Sequence, residues 1–219
     1  MSTSRPAGPR FRLDKAALSV AATAQECATW DALSSAAQGC VACEELAATR
    51  TTVVVGDAPA GARLALVGEA PGAEEDKAGR PFVGRAGRLL DELLAEAGLA
   101  RDAVAVVNVL QCRPPGNRTP TTTEATRCRG WLDRKLELIA PELIVTLGLS
   151  AAVAFLGRGK SLASVRGTVH EVGGHRILPT YHPSAAIRFG PNGAPRAHLR
   201  TDLRTAASLI ASNSHTTQG

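Results

Sequence analysis

The chain has 219 residues, 44% of them apolar and 21% charged, enough for one sizeable domain with its own core. No apolar run is long enough to span a membrane, and the N-terminal Met1-Ser-Thr-Ser-Arg-Pro lacks the basic-then-apolar order of a secretory signal, so a cytoplasmic protein with no membrane partner is expected. The net charge of +5 is uneven: residues 1–157 carry 17 Lys/Arg against 18 Asp/Glu, and residues 158–219 carry 8 against 2, a weak pointer to a polyanion such as nucleic acid.

Residues 1–12, rich in Pro, Arg and Ser, are expected to form a disordered tail. Residues 13–38 are alanine-rich and predict one helix, so that 1–38 reads as an N-terminal extension and 39–219 as the main domain. Arg63–Val67 predicts a strand. It runs into Gly68-Glu69-Ala70-Pro71-Gly72-Ala73-Glu74-Glu75-Asp76, a turn with four carboxylates whose mutual repulsion is costly unless the site uses them. Leu89, Leu90, Leu93 and Leu94 mark one face of a helix over 88–97, stopped by Gly98. Val104–Val109 predicts a second strand with Asn108 inside it. Thr121 and Glu124 form a capping box opening the next helix, which ends before Pro141. Leu143–Leu147 is a third strand and Ser150–Leu156 a short helix. Gly173-Gly174 joins a hairpin between 168–172 and 175–178, and a last helix covers about 197–211. This alternation implies an α/β fold, a three-layer α/β/α sandwich around a central, mainly parallel four-stranded sheet. In such sheets ligands bind at the carboxyl rim of the strands. There is no internal repeat, no P-loop, and no dinucleotide-binding glycine fingerprint.

Five cysteines occur, and their odd number in a cytosolic chain argues against a disulfide framework. Cys40-Val-Ala-Cys43, with Cys112 and Cys128 farther on, is a split arrangement. It suits an iron–sulfur cluster better than a zinc ribbon with two close knuckles, although four buried thiols acting as small hydrophobes have the same composition. Cys27 is spare. An Asn inside an apolar strand leaves an amide to satisfy, either by a structural hydrogen bond or by a ligand edge. Arg113 and Arg118 flank a Pro/Gly loop and could reach phosphates. His182, in His-Pro-Ser at a strand end, is either a structural cap or a donor at the rim. Arg196, Arg200 and Arg204 recur every fourth residue as a basic stripe that either meets phosphates or is an ordinary solvated face.

Gly68-Glu69-Ala70-Pro71-Gly72, Gly79-Arg-Pro-Phe82-Val-Gly84, Asn108-x3-Cys112-Arg-Pro-Pro and His182-Pro183-Ser184, taken in order, resemble the family 4 uracil-DNA glycosylases over about residues 40–207. That resemblance implies a monomeric DNA-repair enzyme that extrudes uracil and hydrolyses its glycosidic bond, leaving an abasic site. It implies a 4Fe–4S cluster, structural in role, on Cys40, Cys43, Cys112 and Cys128. It also implies that Phe82 stacks on the base, that Ala70 lies against it, that Asn108 reads its edge, and that His182 donates to O2. Glu69 or a backbone carbonyl nearby, or after them Glu75, would position the attacking water, with Glu75 and Asp76 either assisting it or excluding the thymine methyl. The loop after Ser184 would supply the wedge that fills the base stack, with Ile187 and Arg188 as candidates. Family 1 enzymes use an aspartate beside the first glycine of this motif; Ala70 follows Glu69 here, so the carboxylate must come from elsewhere. A sister family that traps DNA covalently through a histidine has Gln where Ala70 stands, and its histidine-bearing loop corresponds to Cys112–Pro120, which contains no His. Turnover without a covalent adduct is therefore expected. The alternative from another class, a non-catalytic iron–sulfur DNA-binding module, would not need Phe82, Asn108 and His182 in register.

Overall fold

The structure, a computed structural model, describes residues 13–213; the expected N-terminal tail lies outside them. Among the described residues, ten α-helices and five strands build the fold. Helices α1 (Lys15–Glu26), α2 (Trp30–Gln38) and α3 (Glu44–Thr49) precede strand β1 (Leu64–Gly68). Then come α4 (Ala73–Ala78), α5 (Arg85–Glu96), β2 (Ala105–Asn108), α6 (Thr122–Ile139), β3 (Leu143–Leu147), α7 (Leu149–Leu156) and α8 (Leu162–Val165). The hairpin β4 (His170–Val172) and β5 (His175–Thr180) leads into α9 (Pro183–Arg188) and α10 (Ala194–Asn213).

The sheet has five strands in the order β2-β1-β3-β5-β4, one more than the four expected. The three inner pairings are parallel, and the extra strand is β4, added antiparallel at the edge. Gly173 and Gly174, both at positive φ, make the two-residue turn that folds it back. β1, β2 and β3 are buried throughout, and successive residues turn to opposite faces and so to the two outer layers. Ala65, Val67, Val107, Ile144 and Ile177 face α1, α2, α6 and α7, whereas Leu64, Leu66, Val106, Val145 and Leu178 face α5, α9 and α10. Both faces are covered, as a parallel sheet requires.

Residues 13–38 form two helices rather than the one expected. The break falls at Cys27, whose N–H returns to the Ala24 carbonyl, and at Thr29, whose hydroxyl accepts from the Ala32 N–H and starts the next helix. Helix α1 packs along α6, where Gly130 lets its backbone approach: a Cβ there would stand 2.7 Å from the Ala21 Cα. Arg127 on α6 fastens both neighbouring segments, bonding Asp14 at 2.7 Å and the Ala42 carbonyl at 2.9 Å.

The capping box of α6 forms as expected, with Thr121 Oγ1 accepting from the Glu124 N–H and Glu124 accepting from the Thr121 N–H at 2.7 Å. On the opposite layer, Asp202 of α10 is 2% exposed and takes the Arg166 guanidinium at 2.7 Å and the Thr180 hydroxyl at 2.6 Å. This ties the end of β5, two residues before His182, to α10. Asp202→Ala strands a largely buried guanidinium and is expected to cost about 3–5 kcal/mol, read as a lowered midpoint in urea unfolding; an unchanged midpoint would refute the anchoring role.

Candidate active site

The strand order reverses direction at β1: the chain moves from β1 outward to β2 on one side and back to β3 on the other. Ligand crevices open at such switch points, beyond the carboxyl ends of the strands. A cavity of about 500 Å³ lies there. Its wall takes Glu69–Gly72 from the turn after β1, Asn108 from the end of β2, Leu147–Ser150 from the end of β3, and Tyr181 and His182 from the end of β5. Four strand ends separated by more than a hundred residues of sequence thus meet around one volume.

Asn108 is 2% exposed, and its Oδ1 is buried without a hydrogen-bond partner. An orphaned acceptor in an apolar strand costs free energy unless a ligand supplies the donor. Gly68 stands opposite it across the β1–β2 pair, and a Cβ on Gly68 would lie 2.3 Å from Asn108 Oδ1 and 2.8 Å from the Phe82 ring. Only a glycine leaves both side chains in place. Phe82 is held at φ +55°, a left-handed conformation uncommon for an aromatic residue. Its carbonyl presses into the start of α5, where a Cβ on Gly87 would meet it at 1.7 Å. Strain of this kind persists where the surroundings over-determine it, and here it keeps the ring at the cavity. The Phe82 and His182 ring centroids are 5.6 Å apart.

His182 caps α9. The Ser184 backbone N–H donates to its Nδ1 at 3.1 Å, and the Ser184 hydroxyl is 2.8 Å from the same nitrogen. A backbone N–H can only donate, so Nδ1 is the acceptor and the proton of the neutral ring sits on Nε2. Desolvation pulls the His182 pKa down to about 4, against the opposing charge of Glu75. The imidazole at neutral pH is therefore uncharged and carries a single N–H donor.

The four carboxylates of the first turn take different roles, with Glu74 paired to Lys77 at 3.6 Å on the surface. Glu75 accepts from the Gly72 N–H at 3.1 Å and the Gly84 N–H at 2.9 Å, so both of its oxygens brace the loops on either side of α4. Asp76 faces away from the cavity; it is 2% exposed and accepts from the Thr51 N–H at 3.0 Å, so it takes no part at the rim. Glu69 lines the cavity, and among the described residues its carboxylate takes no hydrogen bond. Its backbone carbonyl accepts from Leu110 at 3.0 Å and holds the strand-end segment of β2 against the turn. Ala70 forms part of the same wall.

Of the residues expected at a nucleic-acid face, Arg113 bonds Asn117 Oδ1 at 2.7 Å. Arg118 is at the cavity mouth but is occupied by Glu124 and Glu45, both at 2.7 Å. Ile187 packs against the α5/α10 layer, whereas Arg188 is exposed at the end of α9. Next to it, Phe189 is 64% exposed, an outward aromatic in a chain with only four Phe, two Trp and one Tyr. That scarcity was a usable signal in the sequence. The arginine stripe of α10 is an interhelical brace: Arg196 pairs with Glu92 at 3.3 Å and Arg200 with Glu96 at 2.6 Å on α5.

Cys40, Cys43, Cys112 and Cys128 line one small cavity between the α2–α3 loop, the segment after β2, and α6. Cys27 is not part of it; it is buried at the end of α1, with its thiol directed to the Thr23 carbonyl. Arg50 donates to Cys112 Sγ at 3.4 Å. Burial, with neighbouring sulfurs adding to it, pushes the Cys43 thiol up to about 11 and Cys128 up to about 12. Lys135, fully buried on α6, donates to the Val55 carbonyl. Among the described residues, no group of three or more His, Cys, Asp or Glu is arranged around a single metal ion. No described helix is long and apolar enough to cross a membrane.

Residues 55–204 match the family model for the uracil DNA glycosylase superfamily. Similar proteins include a type-4 uracil-DNA glycosylase of Thermotoga maritima, 47% identical over 78% of this chain and 89% of its own length. Those of Sulfurisphaera tokodaii (45% identical, 65% of this chain, 69% of its own) and Archaeoglobus fulgidus (42%, 65% and 76%) are also similar. A type-5 uracil-DNA glycosylase of Mycobacterium bovis is more distant, at 33% identity over 58% of this chain and 56% of its own.

Proposed function

The chain belongs to the type-4 uracil-DNA glycosylases of the uracil DNA glycosylase superfamily, and on that premise we propose that it is a monofunctional DNA-repair hydrolase acting on uracil-containing DNA. The observation that carries the reading is the orphaned, buried Asn108 Oδ1 on the wall of a cavity at the sheet's switch point.

A base stacked in a duplex is out of reach of this cavity, so it is extruded into it. Phe82 stacks on the pyrimidine, with Ala70 on the wall beside it. Asn108 Oδ1 accepts from uracil N3–H, and its amide N–H donates to O4. Cytosine presents the reverse pattern, an acceptor at N3 and donors at N4, and would leave both buried groups unpaired. When the C1′–N1 bond breaks, its electron pair passes to the base and charge collects at O2. The His182 Nε2–H is the donor for that charge. A neutral donor already in place stabilises the anion without reorganising at the moment of reaction. Glu69 orients the water that attacks C1′ and favours the cationic sugar, and the proton the water loses passes through solvent to balance the uracil anion; its free carboxylate supports this assignment over Glu75, whose oxygens are engaged. Arg113, Arg188 and Phe189 face the DNA around the mouth, with Phe189 better exposed than Ile187 to enter the stack. Arg118 contributes by holding the mouth through Glu124 and Glu45.

The four cysteines fit a 4Fe–4S cluster. Soft sulfur donors favour iron, and the four thiols line one cavity. Held by Cys40, Cys43, Cys112 and Cys128, the cluster would cross-link the α2–α3 loop, the segment after β2 and α6. Arg50 stabilises the Cys112 thiolate toward it. Cys128→Ser is expected to purify with depleted iron and acid-labile sulfide and to melt more than about 10 °C below the parent protein. Equal iron content and melting temperature would remove these ligands from the assignment.

The function is tested with iron-loaded protein and an end-labelled oligonucleotide carrying one uracil, with thymine and cytosine controls. Alkali-sensitive cleavage at uracil alone, with no SDS-resistant protein–DNA species, is the expected result. No cleavage at uracil by cluster-containing protein would move the chain to the binding-module reading.

A further inference from the structure

A second cavity, of about 400 Å³, opens beside the first. The two share Glu69, Leu149 and Ser150, so only the turn after β1 and the start of α7 separate them. Its wall is mainly apolar around Val109, Val153 and Ala154, with threonines and the Asp133-paired Arg129 among its polar groups, and its rim carries Arg158 and Lys160. Neither cation has a carboxylate partner among the described residues; Arg158 reaches only the Thr122 hydroxyl. The first cavity has no comparable free cation on its wall, because Arg118 is already paired. An apolar volume of this size is ample for a nucleobase, and unpaired cations at its rim suit the phosphate attached to one.

We propose that this cavity is a subsite for the nucleotide next to the uracil in the same strand. Its base lies against the Val153 wall and its phosphate against Arg158 and Lys160. The proposal rests on the glycosylase reading and extends it to the substrate class. Continuity with the uracil cavity carries it: one strand crossing the Leu149–Ser150 ridge places adjacent nucleotides in adjacent cavities. A neighbour that is still paired and stacked cannot enter, whereas an unpaired one can. Uracil in single-stranded DNA therefore gains a contact that uracil in a duplex does not.

The test uses short single-stranded oligonucleotides with one uracil, in which the base immediately 5′ or immediately 3′ is replaced by a tetrahydrofuran abasic residue. For the natural protein, removal on one side only is expected to raise KM about tenfold with kcat unchanged, the scale of one lost base contact. Val153→Trp fills the cavity, and is expected to show the raised KM on the intact oligonucleotide and to be indifferent to removal of the neighbour. Lys160→Glu, an exposed rim change that spares the packing, should also raise KM and flatten its dependence on salt. Equal KM values for all three oligonucleotides, or full sensitivity persisting in Val153→Trp, would overturn the subsite while efficient cleavage at uracil left the glycosylase reading standing. Failure to cleave any of them would sink both.

Discussion

Asn108→Ala is expected to lower kcat/KM on uracil by about 30- to 1000-fold. Two hydrogen bonds to the base edge are lost, each worth roughly 1–2 kcal/mol in a buried site, and about 1.4 kcal/mol is a factor of ten. Discrimination against cytosine should collapse with it, since the penalty on cytosine is the pair of amide groups it leaves unsatisfied. Stability should move the other way or not at all. Asn108 Oδ1 has no hydrogen-bond partner within the protein, so alanine breaks no internal hydrogen bond there and removes a buried polar atom as well as some packing. Single-turnover cleavage and urea unfolding of the same variant separate the two possibilities. A variant that keeps its uracil selectivity but unfolds early would make Asn108 a structural amide.

His182→Ala should reduce kcat by about 100- to 1000-fold with little change in KM, because its N–H meets charge that exists only as the bond breaks. The pH dependence follows from its pKa of about 4, below the ordinary imidazole value of 6.5. Between pH 5 and 8 the ring stays neutral, so this group should leave kcat flat across that range. The linkage sign is that of a depressed pKa. As pH falls below 6.5 the unfolded chain takes up the proton first, while the folded site resists it until about 4. The contribution is complete above pH 6.5 and is lost as pH falls toward 4. Protonation at Nδ1 also breaks the bond from the Ser184 N–H. Urea midpoints at pH 7, 5.5 and 4 in the parent protein and His182→Ala should converge as the pH drops; a parallel decline would assign the effect to other groups.

The sheet was legible because its strands are apolar runs ended by Gly, Pro or Asn, and the helices with strong stripes or caps followed from the same rules. Leu89, Leu90, Leu93 and Leu94 are buried as their spacing requires, and Thr121–Glu124 forms the capping box. The helix starts and ends lie a few residues from expectation, with α5 beginning at Arg85 rather than 88. Helices α4 and α9 were not legible: six residues give too short a period to see, and α4 is mostly charged. The candidate site was legible as a set of residue types at strand ends. What their partners are was not. The carboxylate of Glu75 is committed to a glycine nine positions away, that of Asp76 to Thr51, twenty-five positions back, and Arg200 to a glutamate on another helix. Such pairings depend on tertiary approach, which no local pattern encodes. The buried Lys135 is the extreme case: its spacing from Trp131, Leu132 and Ile139 puts it on the apolar face of α6, but its acceptor, the Val55 carbonyl, lies eighty positions back.

The missing side chain at Gly68 has an evolutionary consequence. Asn108 and Phe82 both crowd the space a methyl group would occupy there, at 2.3 and 2.8 Å. Enlarging the residue at 68 displaces the reader of the base edge and the stacking ring together, while shrinking either of those opens a void beside the other. The three positions are therefore epistatic: a descendant that enlarges residue 68 is expected to keep a working site only where 82 or 108 changes with it.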